Sequence, residues 1–161
     1  MPAVFTTVDN VLGADMLRSV QERFEAMQDR SERWVTGNMD SLATTDPAIA
    51  EILRVAAQSF DLSGMAGVEQ WCHYGTKPGW HVDKDEQLFR STGFLSYPIC
   101  SIVFYAKADK LVGGRFLTED FAVTPKTNSL LVFAPGLVHG VEDYSGSRMA
   151  VAINPWANAL G

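Results

Sequence analysis

A histidine and an aspartate stand two residues apart in the segment GWHVDKDE, residues 79–86. Side chains at positions i and i+2 of a β-strand point to the same side, so His81 and Asp83 would converge while Val82 faces away. A second histidine, His139, follows a Pro-Gly turn at the start of another predicted strand. If the intervening strands fold into one sandwich, two imidazoles and one carboxylate can meet inside it.

Two imidazoles and one carboxylate form the three-ligand face that holds non-haem Fe(II) and leaves other coordination positions open. These ligands carry one negative charge in total, so an Fe(II) site keeps a net positive charge and attracts an anionic cosubstrate. Nine residues after His139 comes Arg148, whose planar guanidinium is suited to binding a carboxylate. The spacing therefore indicates a metal site with an anion-binding group beside it.

The segments that would position these residues change along the chain from helical to β. Apolar residues in the segment 14–30 recur every three or four positions, which predicts a helix with one buried face; they are Leu17, Val20, Phe24 and Met27. A second helix is predicted over 45–60, because Asp46 is a good N-cap and Pro47 suits the first helical position. Its predicted buried face consists of Ile49, Leu53, Ala56 and Phe60. Residues 1–62 are thus predicted to be the helical part.

From residue 66 onward the apolar residues alternate and turn residues recur, which predicts many short strands. The predicted strands are 67–74, 79–83, 99–106, 114–118, 121–124, 129–134, 138–142 and 148–154. Helices followed by many strands favour a β-sandwich or barrel with helices packed outside it. We expect one domain over 1–161, with its β core at about 66–156.

The predicted strand RMAVAIN, 148–154, has two different faces. One face is a normal core face and consists of Met149, Val151 and Ile153. The other face is unusual for a solvent-facing strand and consists of Arg148, Ala150, Ala152 and Asn154. A charge, two very small residues and an amide are typical of a strand that lines an occupied pocket. In the segment ICSIVFY, 99–105, alternation directs Tyr105 into the same interior.

With these motifs the chain resembles the Fe(II)/2-oxoglutarate-dependent oxygenases, and among them the prolyl-hydroxylase-like group. The resemblance extends from about Val68 to Trp156. It includes WHVD, the Gly-Gly turn of VGGRF, the strand SLLVFAP, the histidine of VHGV and the arginine of GSRMAV. It implies a double-stranded β-helix, a jelly-roll or cupin-like core, braced by two or more helices.

The resemblance also implies a role for each matching residue. The implied Fe(II) ligands are His81, Asp83 and His139. Arg148 is implied to bind the 5-carboxylate of 2-oxoglutarate, Tyr105 to contact the same cosubstrate, and Tyr74 to match another pocket tyrosine. The implied activity is that of a dioxygenase that consumes O2 and 2-oxoglutarate, hydroxylates a C–H bond and releases succinate and CO2, with ascorbate as a supporting reductant. The expected substrate is a prolyl residue in a peptide or protein, or a free amino acid.

Two alternatives remain at this point. The first is a cupin-like metalloprotein that uses another divalent metal without 2-oxoglutarate, and Arg148 counts against it. The second is a catalytically silent binding module on the same fold, and the complete set of metal ligands counts against that.

Composition and charge exclude other classes of protein. The 161 residues carry a net charge of −6 without a cluster of lysine and arginine, so we expect no nucleic-acid partner. The apolar runs are too short to span a bilayer and the first residues do not have the pattern of a signal peptide, so we expect neither a signal peptide nor a membrane partner. Cys72 and Cys100 are expected as reduced core thiols of a cytoplasmic protein, a monomer or small homo-oligomer.

Two further expectations concern residues near the predicted metal site. His73 and Tyr74 are adjacent on a predicted strand and must face opposite sides, so with Tyr74 in the pocket His73 is expected outside it. The segment 84–98 directly follows two predicted metal ligands. We expect it to form a lid over the substrate, the alternative being a plain surface loop.

Overall fold

The computed structural model describes residues 5–27 and 31–158, and for residues 31–36 it describes the backbone only. In chain order the described elements are β1 (Phe5–Val8), α1 (Ala14–Met27), β2 (Ser31–Thr36), α2 (Met39–Thr45), α3 (Pro47–Ala56), β3 (Gly67–Tyr74), α4 (Glu86–Thr92), β4 (Ser101–Gly113), β5 (Phe116–Leu117), β6 (Ala122–Val123), β7 (Ser129–Phe133), β8 (Gly140–Val141) and β9 (Tyr144–Trp156).

The strands of the described residues form two antiparallel sheets. The larger sheet has six strands in the order β1-β7-β4-β9-β3-β2, and the smaller has three in the order β6-β5-β8. The two long strands β4 and β9 lie side by side at the centre of the larger sheet, with β3 next to β9. The predicted mainly-β fold with helices outside it is confirmed.

The predicted helices form where their sequence signals lie. The Asp46 side chain accepts a hydrogen bond from the backbone N–H of Ile49, which caps α3, and Pro47 opens the helix. Helix α1 ends at Met27; the remainder of the predicted first helix, 28–30, lies outside the described residues. Within the described part of the chain, no helix is long and apolar enough to cross a membrane.

The main core lies between these helices and one face of the six-stranded sheet. Helix residues such as Phe24 and Leu53 are fully buried against strand residues such as Phe104 and Val151. Cys72 and Cys100 are both buried in this core and are not joined by a disulfide. A smaller apolar cluster of Phe116, Leu131 and Phe133 lies on the other side of the sheet.

The structure corrects the expectation that residues 1–62 are wholly helical, since they also contain β1 and β2. Strand β1 pairs with β7 and strand β2 with β3, so they form the two edges of the larger sheet. Both strands are short, and the pairing of β1 with β7 joins Phe5 to Phe133 across most of the chain. Such distant pairing leaves little signal in the local sequence.

The structure also shortens four predicted strands, two of which, 114–118 and 121–124, are reduced to β5 and β6, and it places a helix where none was predicted. In 79–83 the regular pairing is limited to one bridge between His81 and His139, and the predicted strand 138–142 is reduced to β8. The segment 84–98 contains α4, capped by Asp85 at its start and by Gly93, in the left-handed conformation, at its end.

Candidate metal and anion-binding site

Reciprocal backbone hydrogen bonds bring the two predicted histidine ligands together. The N–H of His81 donates to the carbonyl of His139 and the N–H of His139 donates to the carbonyl of His81, each at 2.9 Å. Directly opposed residues of an antiparallel bridge project to the same side. The two imidazole rings accordingly lie with their centroids 4.3 Å apart.

Asp83 completes a three-residue cluster with these imidazoles. Its Oδ1 lies 3.3 Å from His81 Nε2, and its Oδ2 lies 3.7 Å from His139 Nε2. One donor atom from each residue can be chosen so that all three lie within 4.8 Å of one another. This spacing leaves room for one ion among the three atoms.

The Nδ1 atom of each histidine contacts a backbone carbonyl, which leaves Nε2 as the atom that can bind a metal. His81 Nδ1 lies 2.7 Å from the carbonyl of Gly79, and His139 Nδ1 lies 2.8 Å from the carbonyl of Leu137. A carbonyl oxygen only accepts, so both Nδ1 atoms carry a proton, and in each histidine Nε2 is the atom that faces Asp83 and can bind a metal in its unprotonated form. Two imidazole nitrogens and one carboxylate are a suitable donor set for Fe(II).

Burial and mutual charge set the protonation of the cluster. Burial would raise the pKa of Asp83, but the hydrogen bond from His81, the charge of His139 and the nearby Ser101 hydroxyl together lower it. Burial lowers the pKa of His139, against the opposing effect of Asp83. Burial also acts to lower the pKa of His81, but its contact with Asp83 outweighs this and the pKa is raised. The carboxylate is therefore ionised at neutral pH, as a metal ligand must be.

A cavity of about 230 Å³ extends from this cluster over the face of the larger sheet. On that face Ala150 is the directly paired neighbour of both His73 on β3 and Tyr105 on β4. In the next row Ala152 lies between Trp71 and Val103. Because directly opposed residues share a face, the two alanines form the floor of a trough with larger side chains on both sides.

Arg148 closes one end of this trough. It is 2% exposed, and its Nε donates to the carbonyl of Gly114 at 3.2 Å. Its guanidinium carbon lies 5.4 Å from the ring centre of Tyr105 and 5.7 Å from that of Tyr144. No carboxylate of the described residues forms an ion pair with Arg148, although an uncompensated buried charge is costly.

The Gly-Gly turn supports the position of Arg148. Gly113 and Gly114 both have positive φ angles, of 77° and 76°. A Cβ atom on Gly114 would lie 3.3 Å from Arg148 Cδ and 3.2 Å from Tyr144 Cβ. The turn therefore needs glycine for its backbone conformation and for the close approach of the arginine side chain.

The opposite end of the trough also carries polar groups. Asn154 is 3% exposed, lines the cavity and has an Oδ1 atom without a hydrogen-bond partner among the described residues. It is directly paired with Glu69, which also lines the cavity and is buried. As alternation along 148–154 predicts, Arg148, Ala150, Ala152 and Asn154 all line the cavity.

The predicted orientation of β3 is wrong. Tyr74 packs on the helix side of the sheet, with its ring edge-on to Phe24 at a centroid distance of 6.5 Å, so it does not face the cavity. His73 instead lines the cavity. Trp71 and Glu69 lie on the same face and were not predicted as part of the site either; alternation from His73 would have identified both. Tyr105 lies on the expected face and beside Arg148, but it is buried and is not one of the residues that line the cavity.

Searches against family models and against curated proteins give no match to this chain. Solved structures do match over nearly the whole length. The viral collagen prolyl hydroxylase of Paramecium bursaria Chlorella virus-1, in complex with 2-oxoglutarate, is 14% identical with a TM-score of 0.65, covering 98% of this chain and 97% of that one. A prolyl-4-hydroxylase from Pseudomonas putida is 19% identical with a TM-score of 0.61, covering 97% and 94%.

A third similar structure is a Trichoplax adhaerens prolyl hydroxylase in complex with a peptide fragment of the hypoxia-inducible factor oxygen degradation domain. It is 12% identical with a TM-score of 0.59, covering 96% of this chain and 84% of that one. At these identities the comparisons show that the chain shares the double-stranded β-helix fold of these proteins. The predicted resemblance is confirmed at the level of the fold.

Proposed function

We propose that this protein is an Fe(II)- and 2-oxoglutarate-dependent dioxygenase that hydroxylates a C–H bond and releases succinate and CO2. One observation carries the proposal: a cluster of two histidines and one aspartate opens onto a trough whose end holds a buried arginine without a carboxylate partner among the described residues. The fold shared with prolyl hydroxylases, one of which was solved in complex with 2-oxoglutarate, supports the same conclusion.

Each residue of the cluster has a defined task in this proposal. His81 and His139 would hold Fe(II) through Nε2, with their rings fixed by the hydrogen bonds from Nδ1 to the Gly79 and Leu137 carbonyls. Asp83 would supply the carboxylate. When bound, the iron supplies the oxidising chemistry that no side chain of the protein can provide.

The remaining residues bind, orient and exclude water. Arg148 is suited to one carboxylate of 2-oxoglutarate, because its Nε is already used by Gly114 and its two terminal nitrogens remain for a bidentate contact. The rings of Tyr105 and Tyr144 flank the guanidinium and limit its movement. Phe116 stacks beside the His139 ring at a centroid distance of 5.2 Å and keeps that side of the cluster dry.

We propose that the substrate is a prolyl residue in a peptide or protein, or a free amino acid. A peptide or protein is supported by the similar prolyl hydroxylase that was solved with a peptide fragment. Large apolar side chains are also exposed directly next to the ligand residues in the sequence, such as Trp80 before His81 and Val138 before His139. An extended peptide could pack against these side chains.

The alternative function is that of a divalent-metal protein that does not use 2-oxoglutarate. This alternative gives Arg148 no role. Such a protein has no need of a guanidinium that is 2% exposed at the end of an otherwise small-residue trough. The arginine therefore favours the dioxygenase.

The proposal is tested by incubating the protein with Fe(II), 2-oxoglutarate, ascorbate and O2. Candidate substrates are proline-containing peptides and free amino acids, and mass spectrometry follows succinate and the addition of one oxygen to the substrate. We expect succinate formation that depends on Fe(II) and 2-oxoglutarate and is stimulated by the true substrate. A protein that binds Fe(II) but does not bind 2-oxoglutarate contradicts the proposal.

A further inference from the structure

His73 is a buried histidine of the cavity that the proposed mechanism does not use. It lies on β3 directly opposite Ala150, and Arg148 is two residues further along β9 on the same face. Across Ala150 on the other side lies Tyr105. Adjacent strands are spaced by about 4.8 Å, so the backbones of His73 and Tyr105 are about 10 Å apart, with only the Ala150 methyl group between them. This slot above Ala150 is part of the cavity of about 230 Å³, which His73 and Arg148 also line.

The His73 ring is neutral and has an unused polar atom. Its Nδ1 is buried without a hydrogen-bond partner among the residues that the structure describes. Burial, followed by the positive charges of Arg148 and His81, lowers the pKa of His73 to about 4. His73 lines the same cavity as Arg148 and His81. A neutral imidazole there can still donate one N–H.

We propose that His73 binds the anionic cosubstrate by donating a ring N–H to a carboxylate of 2-oxoglutarate lying in the slot above Ala150. This inference rests on the proposed function. Two groups that can donate hydrogen bonds line the cavity at this slot, the His73 imidazole and the Arg148 guanidinium. The His73 ring has a buried nitrogen without a partner in the described chain, and the imidazole would gain a partner from a carboxylate.

The test compares two adjacent residues that lie on opposite faces of β3. 2-Oxoglutarate is titrated anaerobically into the Fe(II)-loaded protein, and its Kd is measured by calorimetry for the wild type, His73→Phe, His73→Gln and Tyr74→Phe. Loss of one hydrogen bond to a charged group should raise the Kd of His73→Phe about tenfold to a hundredfold. His73→Gln retains an N–H donor and should recover most of the affinity. Tyr74→Phe should bind like the wild type.

The same samples separate ligand binding from a structural role. Fe(II) affinity and the thermal midpoint of His73→Phe should stay at the wild-type values, because the ring contacts the cosubstrate and not the core. Wild-type affinity for 2-oxoglutarate in His73→Phe overturns the inference and leaves the proposed function standing. Weaker binding in Tyr74→Phe, or equal losses of stability, Fe(II) affinity and cosubstrate affinity in His73→Phe, overturns it too. A wild-type protein that binds Fe(II) but no 2-oxoglutarate overturns the proposed function and this inference together.

Discussion

The two faces of β9 differ in how completely contacts within the protein satisfy their side chains. On one face Met149, Val151 and Ile153 are buried in the main core under the helices. On the other face, Arg148 has no ion-pair partner among the described carboxylates and Asn154 keeps an unpartnered Oδ1 within the same part of the chain. Buried polar groups normally have partners. The difference indicates that the helix-side face supplies stability, whereas the cavity-side face is completed by a bound ligand.

This comparison predicts that substitutions on the two faces have separable effects. A change on the cavity side should alter the binding of metal or cosubstrate while leaving the free energy of unfolding nearly unchanged. A change on the helix side should lower the free energy of unfolding while leaving the binding of metal and cosubstrate nearly unchanged. The following substitutions test that separation.

The largest effect is expected for Asp83→Ala, which removes the one charged group of the metal cluster. Loss of a partner that merely orients a metal ligand typically costs tenfold to a hundredfold in affinity, so loss of the ligand itself should cost at least about a hundredfold. Turnover should fall to background. Bound iron and succinate formation measure the two effects. A His81→Ala/His139→Ala double variant that still binds iron like the wild type would show that the site lies elsewhere.

Arg148→Ala should weaken 2-oxoglutarate binding by about thirtyfold to several thousandfold, which corresponds to roughly 2–5 kcal/mol for a buried charge-assisted contact. Fe(II) affinity should remain near the wild-type value. Arg148→Lys should recover only part of the loss, because lysine keeps the charge but not the planar fork. Calorimetric titration of 2-oxoglutarate checks the series, and unchanged affinity in Arg148→Ala would remove this residue from the site.

Ala150→Leu should fill the trough between His73 and Tyr105. The added atoms enter a cavity of about 230 Å³, so the free energy of unfolding should fall by less than the roughly 1–3 kcal/mol that overpacking a filled core costs. 2-Oxoglutarate should nevertheless bind at least about tenfold more weakly, since the slot is blocked. Chemical denaturation and calorimetric titration of the same sample give both quantities. A large loss of stability with intact binding would mean that Ala150 belongs to the core.

Ile153→Val is the matched change on the helix-side face of the same strand. Removing one buried methylene should lower the free energy of unfolding by about 0.5–1.5 kcal/mol. Affinity for 2-oxoglutarate should not change. If this substitution alters cosubstrate binding as much as Ala150→Leu does, the two faces are not independent.

The smallest effect is a change in hydrogen exchange in the segment 84–98, which was predicted to form a lid. Helix α4 has no buried residue, and Phe94 and Leu95 after it are 72% and 52% exposed. Sparse packing predicts fast hydrogen exchange in the protein without substrate, and slower exchange once substrate covers the segment. Mass spectrometry of exchange over 84–98, compared with β4 as a rigid reference, tests this. Slow exchange that substrate does not alter would assign the segment as a plain surface element.

The sequence was sufficient to predict a structural feature where the local signal and the feature involve the same few residues. Asp46 and Pro47 predict the start of α3 because capping needs only adjacent residues. The two faces of β9 follow from alternation, because one set of residues is uniformly apolar and the other is not. The metal cluster followed from three residue types, although only a single bridge holds His81 opposite His139.

Tertiary structure decided what local patterns leave undetermined. Strand β3 has the sequence GVEQWCHY, in which both faces mix apolar and polar residues, so alternation cannot tell which face lies inside. Its pairing of His73 with Ala150, and the contact of Tyr74 with Phe24, fix the orientation. Strand β1 likewise forms only because β7 offers a partner more than a hundred residues away. The sequence by itself determined which groups can bind a metal and an anion, whereas strand register decided that His73, and not Tyr74, lies beside them.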